Sequence, residues 1–284
     1  MTRLAVLLPP APPDLPGGAR PDAFGTVRLV LAPRLVAALV AALALSTVAA
    51  EAANAAGRPG VLELLAKWFP LVFSGFLFNL LVSVLAMTFG TLLGVMLGLA
   101  QVSLLRPLRR ASWFVTQFFR NAPWLVLLFY AMLILPFELR LGGLVIAFPA
   151  WLKAVIGLSL PVMANISEIV RGGVQSIPAG QWESAESLAF TRRQTLWMII
   201  LPQAVKRMLP PWMNQYAILT MATTLISVVG VQDALTMTRG ALVAEARTDL
   251  LIPMYLMLLA MFFVYCYPIA RATLALERRF AVKI

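Results

Sequence analysis

The sequence predicts an all-α integral membrane protein, a helical bundle of five core transmembrane helices with one extra helix at the N-terminus. Three observations predict it. Hydrophobic residues fill 61% of the 284 positions and charged residues 12%, with a mean hydropathy of +0.87, more apolar surface than one soluble core can bury. The apolar residues gather into six runs, several of them near the ~20 residues that carry a helix across a ~30 Å hydrocarbon layer. The ~10-residue alternation that builds a transmembrane barrel is missing.

A tail over 1–28, containing PPAPPDLPGG, comes first. The first run, 29–50, has arginines before it and the small-residue tract EAANAAG after it. It reads either as an uncleaved transmembrane helix or as a cleavable secretory signal, and the long tail favours the helix. The second run, 70–99, is long enough to tilt or protrude, and Gly90, Gly94 and Gly98 are spaced within it for close helix contact. The third, 113–137, is interrupted by Arg120-Asn121-Ala122-Pro123, which places its bilayer-crossing part mainly after Pro123. The fourth, fifth and sixth cover 151–170, 211–230 and 250–270, and a short tail over 276–284 ends the chain.

The loops between the runs set the orientation. Seventeen lysines and arginines fall on one side, in the N-terminal tail, the loop around Arg106 to Arg120, the stretch 171–210 and the C-terminal tail; six fall on the other. Lys and Arg concentrate in cytoplasmic loops, so the first side faces the cytoplasm. The net charge of +11 is therefore a topology signal, with anionic lipid as its ordinary contact; a nucleic-acid reading would need a basic face with stacking aromatics on a soluble surface. Histidine is absent and Cys266 is the one cysteine. No intrachain disulfide can form, and the usual zinc, haem and iron–sulfur ligand sets are lacking. Without histidine or paired acids inside the spans, an intramembrane enzyme lacks the means for general acid–base or metal chemistry.

The longest polar insertion is the cytoplasmic stretch 171–210. Pro178 and Gly180 punctuate its start, and a helix from Gln181 can run until Pro202. On a 3.6-residue period Trp182, Ala185 and Ala189 then share a face, a flat small-residue patch beside a bulky anchor, which suits contact with a partner. An amphipathic helix lying at the lipid headgroups, anchored by Trp182, Leu196 and Trp197, is the other reading of the pattern alone.

The order of residues favours the first. GQWESAESLA, nine residues, then IILP resembles the EAA loop of permease subunits in ATP-binding-cassette importers, with the signature falling on Glu183, Ser184, Ala185, Ala189, Ile199, Leu201 and Pro202. The stretches ISEIVRGGVQSIPAGQWE, LPQAVKRMLPPWMNQ and FFRNAPWLVLLF are similar to permeases for polar amino acids of the His, Glu, Gln, Arg and opine type. The resemblance covers residues 70–275. Ser184 stands where the signature has its second alanine and Ala189 where it has glycine, so a glycine-dependent turn between two short helices is open to change. Met221 and Ala222 replace a Lys-Asp pair common in that subgroup, which leaves the substrate open.

The resemblance implies a type I importer permease fold in a bacterial inner membrane, with the 171–210 loop and the C-terminus cytoplasmic. It implies a cytoplasmic ATPase dimer, a second permease that is identical or homologous, and an extracytoplasmic binding protein as partners, together with membrane lipid and no nucleic acid. ATP and magnesium then belong to the partner ATPase, and this chain, which has no GxxxxGK[ST] phosphate loop, is no enzyme and binds no cofactor. Trp182, Glu183, Ser184, Ala185, Ala189, Ile199, Leu201 and Pro202 form the coupling loop. Glu183 makes a charge-assisted contact, and Ala185 and Ala189 supply steric fit. Polar residues inside spans are costly and face the bundle interior. That makes Asn79, Thr91, Asn165, Asn214, Thr220, Thr223 and Thr224 candidates for the solute path, with Gln215 and Ser83 beside them. Such side chains also bond back to their own helix or join helices. Glu168 reads as a structural partner of Arg171 three residues on. A permease for a different small solute is the alternative. An ion-coupled secondary transporter is a further one, without the inverted repeats or embedded carboxylates such proteins show.

Overall fold

The computed structural model describes residues 31–52, 59–141 and 144–280. The tail over 1–28 and residues 281–284 of the C-terminal tail lie outside the described residues. The chain divides into two units, 1–42 and 43–284. The first contains the start of helix α1 (Leu31–Ala52), a helix that suits both readings of the first apolar run. The second contains the bundle.

Helix α2 (Val61–Gln101) has 41 residues, about 60 Å at 1.5 Å per residue. It begins before the apolar run that signalled it. Helices α3 (Arg106–Asn121) and α4 (Trp124–Ile134) follow and meet at a bend of 105°. Pro123 is extended at φ −61° and ψ 129°, and its ring and missing N–H stop the helix there. Here the sequence expectation needs correction. The 11 residues of α4 reach only about 16 Å, too short to cross ~30 Å alone, so α3 and α4 are either one span broken at Pro123 or a loop that enters and returns.

A second correction concerns the all-α reading. Strands β1 (Glu138–Leu141) and β2 (Leu144–Ala147) form an antiparallel hairpin in which Glu138 pairs with Ala147 and Leu141 with Leu144. The fold is helical with this small insertion. Helix α5 (Ala150–Gln175) follows, and α6 (Ala179–Ser187) opens the polar loop. The single turn α7 (Arg192–Gln194) runs through a π-helical stretch, Thr195–Ile200, into α8 (Leu201–Ala222) and a 3-10 stretch, Thr223–Val229. Gly230, at φ +81°, ends this stretch and turns the chain into α9 (Ala234–Glu245), bent by 52° from the preceding helix. After a 3-10 turn, Thr248–Leu250, α10 (Leu251–Phe280) closes the described chain.

Among the described residues three helices are long and apolar enough to cross a membrane, Val61–Gln101, Ala150–Gln175 and Thr248–Phe280, and five spans result if each bent pair counts as one. The centre of the bundle is the α2–α5 seam. A methyl group on Gly90, Gly94 or Gly98 would lie 2.5 Å from Val162 Cγ1, 2.6 Å from Ile166 Cβ and 2.6 Å from Val170 Cβ respectively. Glycine there lets the two backbones approach, and β-branched side chains from α5 fill the notches. Val82, Ala86, Leu158 and Leu219 extend this core.

Candidate functional site

The polar loop folds differently from one continuous helix. Helix α6 ends in a Schellman turn: Phe190 N–H bonds Ala185 O at 3.1 Å, Ala189 N–H bonds Glu186 O at 3.0 Å, and Ala189 sits at φ +57°. That left-handed position is the one helices usually close with glycine. Thr191 then caps α7, its hydroxyl accepting from Gln194 N–H while the Gln194 side chain bonds back to Thr191 N–H. The expected run from Gln181 to Pro202 is therefore broken at 188–191. The shared face of Trp182, Ala185 and Ala189 is dissolved as well, because Ala189 lies beyond the helix.

Ala185 is buried at 1% exposure as α6 lies on the π-helical stretch, so its small size serves packing within this chain. Trp182 packs on a cluster of Val174, Ile177, Ile200 and Ala204 and stands 5.0 Å from the Arg192 guanidinium over its ring. Ile199 and Leu201 join the same cluster. The exposed side of α6 carries Glu183, Ser184 and Glu186 and ends at Leu188, which is 72% exposed. Neither carboxylate forms an ion pair among the described residues. Leu188 went unnoticed in sequence because its exposure depends on the turn, and the turn depends on an alanine standing where glycine is usual.

The polar candidates inside the bundle separate into two groups. Asn79 is fully buried and fully used: its Nδ2 donates to Thr223 Oγ1 at 3.0 Å and to Asp233 Oδ2 at 3.3 Å, and its Oδ1 accepts from Ala234 N–H at 3.0 Å. Asp233 also caps α9, accepting from Thr236 N–H at 2.8 Å. Asn79 and Thr223 are thus a clip that fastens α2 to the 3-10 stretch and to α9. Thr220 donates to Tyr216 O and Thr224 to Met221 O. Thr91 accepts from Trp212 Nε1 at 3.0 Å. These bonds tie the helices and leave little to offer a solute.

Asn165 and Asn214 belong elsewhere. They line a polar cavity of about 480 Å³ between the end of α3, α5 and α8, together with Arg120, Glu168, Arg207 and Gln215. Glu168 pairs with Arg171, whose Nε lies 3.2 Å from Oε2, and its Oε2 is also 3.6 Å from Arg120 Nη1. Arg207 donates to Ser176 O, fixing α8 to the end of α5. The side-chain N–H of Gln215, a residue only 7% exposed, has no partner. Sequence reasoning found the asparagines and the Glu168–Arg171 pair. It counted Arg120 and Arg207 only as topology charges, and nothing local in sequence joins them.

No group of three or more metal-ligating side chains occurs among the described residues. The arrangement comprises an exposed acidic knuckle at α6 and a polar cavity whose walls, α5 and α8, are joined to that knuckle through the Trp182 cluster.

Comparison with known proteins agrees with this architecture. Residues 90–282 match the family described as the binding-protein-dependent transport system inner membrane component. The chain is 35% identical over 213 residues to a probable amino-acid ABC transporter permease protein, YckA, of Bacillus subtilis (strain 168), covering 75% of this chain and 90% of that one. It is 30% identical over 187 residues to the inner membrane amino-acid ABC transporter permease protein YhdY of Escherichia coli (strain K12), covering 66% of this chain and half of that longer relative. Among solved structures, an amino acid ABC transporter crystallised with histidines superposes with a TM-score of 0.66 at 27% identity, covering 76% of this chain and 96% of that one. The chain belongs to the family of binding-protein-dependent transport system inner membrane components.

Proposed function

We propose that this chain is the membrane-spanning permease subunit of an ATP-binding-cassette importer with a type I fold, moving a polar amino acid that an extracytoplasmic binding protein delivers. The observation that carries the reading is the family match over residues 90–282, with relatives named as amino-acid permeases. The chain lies in a bacterial inner membrane with the α6 loop and C-terminus in the cytoplasm. It works beside a second permease, identical or homologous, and on a cytoplasmic ATPase dimer that holds the ATP and magnesium.

The loop over 171–210 couples the two. Helix α6 carries two carboxylates and no cation, although the cytoplasmic loops around it are basic. An anionic membrane surface repels such a segment, whereas a cation-rimmed groove on a partner attracts it. Leu188 supplies the apolar knob, Glu183 and Glu186 the rim, and Ala185 and Ala189 shape the loop that presents them. Trp182, Ile199 and Leu201 share one packed cluster with Val174 of α5 and Ala204 of α8. A displacement of α6 therefore moves α5 and α8, the walls of the cavity that holds Asn165 and Asn214. ATP-driven closure of the ATPase dimer thus shifts the bundle between two packings.

Affinity purification in mild detergent tests the reading, comparing wild type with Leu188→Asp and identifying co-eluting proteins by mass spectrometry. Wild type is expected to bring down a Walker-motif ATPase and a second permease, and the variant to lose the ATPase alone. Retention of the ATPase by Leu188→Asp would remove Leu188 from the contact. Recovery of no ATPase with wild type, while other membrane complexes survive, would overturn the importer assignment.

A further inference from the structure

We propose that the polar cavity between α3, α5 and α8 selects an amino acid with an acidic side chain, a net anion, over neutral and cationic ones. The inference rests on the permease reading above and adds the charge class of the solute.

The cavity lining holds two guanidinium groups, Arg120 and Arg207, and one carboxylate, Glu168. That carboxylate is already engaged. Arg171 binds it through Nε at 3.2 Å and Arg120 Nη1 stands 3.6 Å from the same oxygen. Arg207 meets only a backbone carbonyl, Ser176 O, which leaves its charge without a counterion among the described residues.

The positive charge therefore exceeds the negative. A solute carboxylate answers that excess, since the planar fork of an arginine matches its two oxygens. Two carboxylates, one on the backbone and one on the side chain, answer Arg120 and Arg207 together. The solute's ammonium then has the amide oxygens of Asn165 and Asn214 and the outer lone pairs of Glu168. A neutral amino acid leaves one guanidinium unmatched. A cationic one brings a further positive charge against Arg120, Arg171 and Arg207. The volume of about 480 Å³ lies within the range of small-molecule sites.

The test uses the importer purified with its partner subunits. In proteoliposomes with its binding protein, ATP-driven uptake of each common L-amino acid is measured. In nanodiscs without the binding protein, thermal unfolding is followed against L-glutamate, L-aspartate, L-glutamine and L-arginine. Uptake of glutamate or aspartate is expected to exceed that of any neutral or cationic amino acid at least tenfold, and only the acidic pair should raise the unfolding temperature. Preferred uptake of a neutral or cationic amino acid would overturn the charge assignment while leaving the permease reading standing. ATP-driven uptake of no amino acid would overturn the reading itself. Arg207→Gln separates ligand contact from a structural role. It keeps an N–H donor toward Ser176 O and removes the charge, so the unfolding temperature without ligand should hold while stabilisation by the acidic ligands weakens at least tenfold. A lowered unfolding temperature with ligand response intact would take Arg207 out of the site.

Discussion

Ala189 occupies backbone that favours glycine, at φ +57°, and the cost of a Cβ there is about 1 kcal/mol. Ala189→Gly should relieve it and stabilise the loop by that amount, measured as a higher unfolding temperature with unchanged assembly. A fall in stability would mean that the alanine methyl makes a contact worth more than the strain. Lys153 is the opposite case, a charge at the start of the fourth apolar run that the structure buries completely. Its ammonium donates to Leu135 O at 2.7 Å and stands 3.5 Å over the Phe137 ring, so it caps the carbonyl end of α4, where a cation is favoured. Lys153→Met should strand those carbonyls and cost about 2 kcal/mol, read by thermal unfolding in detergent. An unchanged unfolding temperature would show that water already serves them. Both residues were visible in the sequence, but φ and burial are set by neighbours, which a residue read alone does not reveal.

At the scale of elements, the α2–α5 seam makes a sharp prediction. A methyl at Gly94 would lie 2.7 Å from Met163 O, backbone that cannot swing away as a side chain could, so Gly94→Ala must push the helices apart at about 2 kcal/mol. Gly240, inside α9, has nothing within 4 Å of its would-be Cβ, and Gly240→Ala should gain up to about 1 kcal/mol of helix propensity. Opposite shifts in unfolding temperature would confirm that space decides between these glycines; equal shifts would refute the close seam. The four-residue glycine spacing made this contact legible in advance, and the long apolar runs of α2, α5 and α10 were equally plain. The sharp bend between α3 and α4 was not, because Pro123 marks a break without setting its angle. The hairpin carried an overlooked signal, Gly142-Gly143 between two short segments, a pairing typical of two-residue turns. The cavity was half legible: Asn165, Asn214 and Gln215 stood out as polar residues inside apolar runs, whereas Arg120 and Arg207 come from other turns and helices, and only packing brings them alongside.

For the whole molecule, the decisive quantity is the distribution of charge along the chain, and it predicts an orientation that can be measured on this chain directly. Cys266 is the only cysteine and is buried, so a membrane-impermeant maleimide has little native background to label. Two exposed positions then report the two faces: Leu188, 72% exposed in the α6 loop, and Val243, 80% exposed on α9. Seventeen basic residues against six place the first inside and the second outside. Leu188→Cys should therefore react only in inverted vesicles, and Val243→Cys only in intact cells stripped of their outer envelope. The reverse pattern would put α6 on the outer face, where no ATPase could reach it, and the coupling role would fall with the orientation. Labelling of both sites from one side would mean that the bent pair running from Arg192 to Glu245 fails to cross. The five-span count depends on that crossing, since the 52° bend is compatible with a broken span or with a loop that enters and returns.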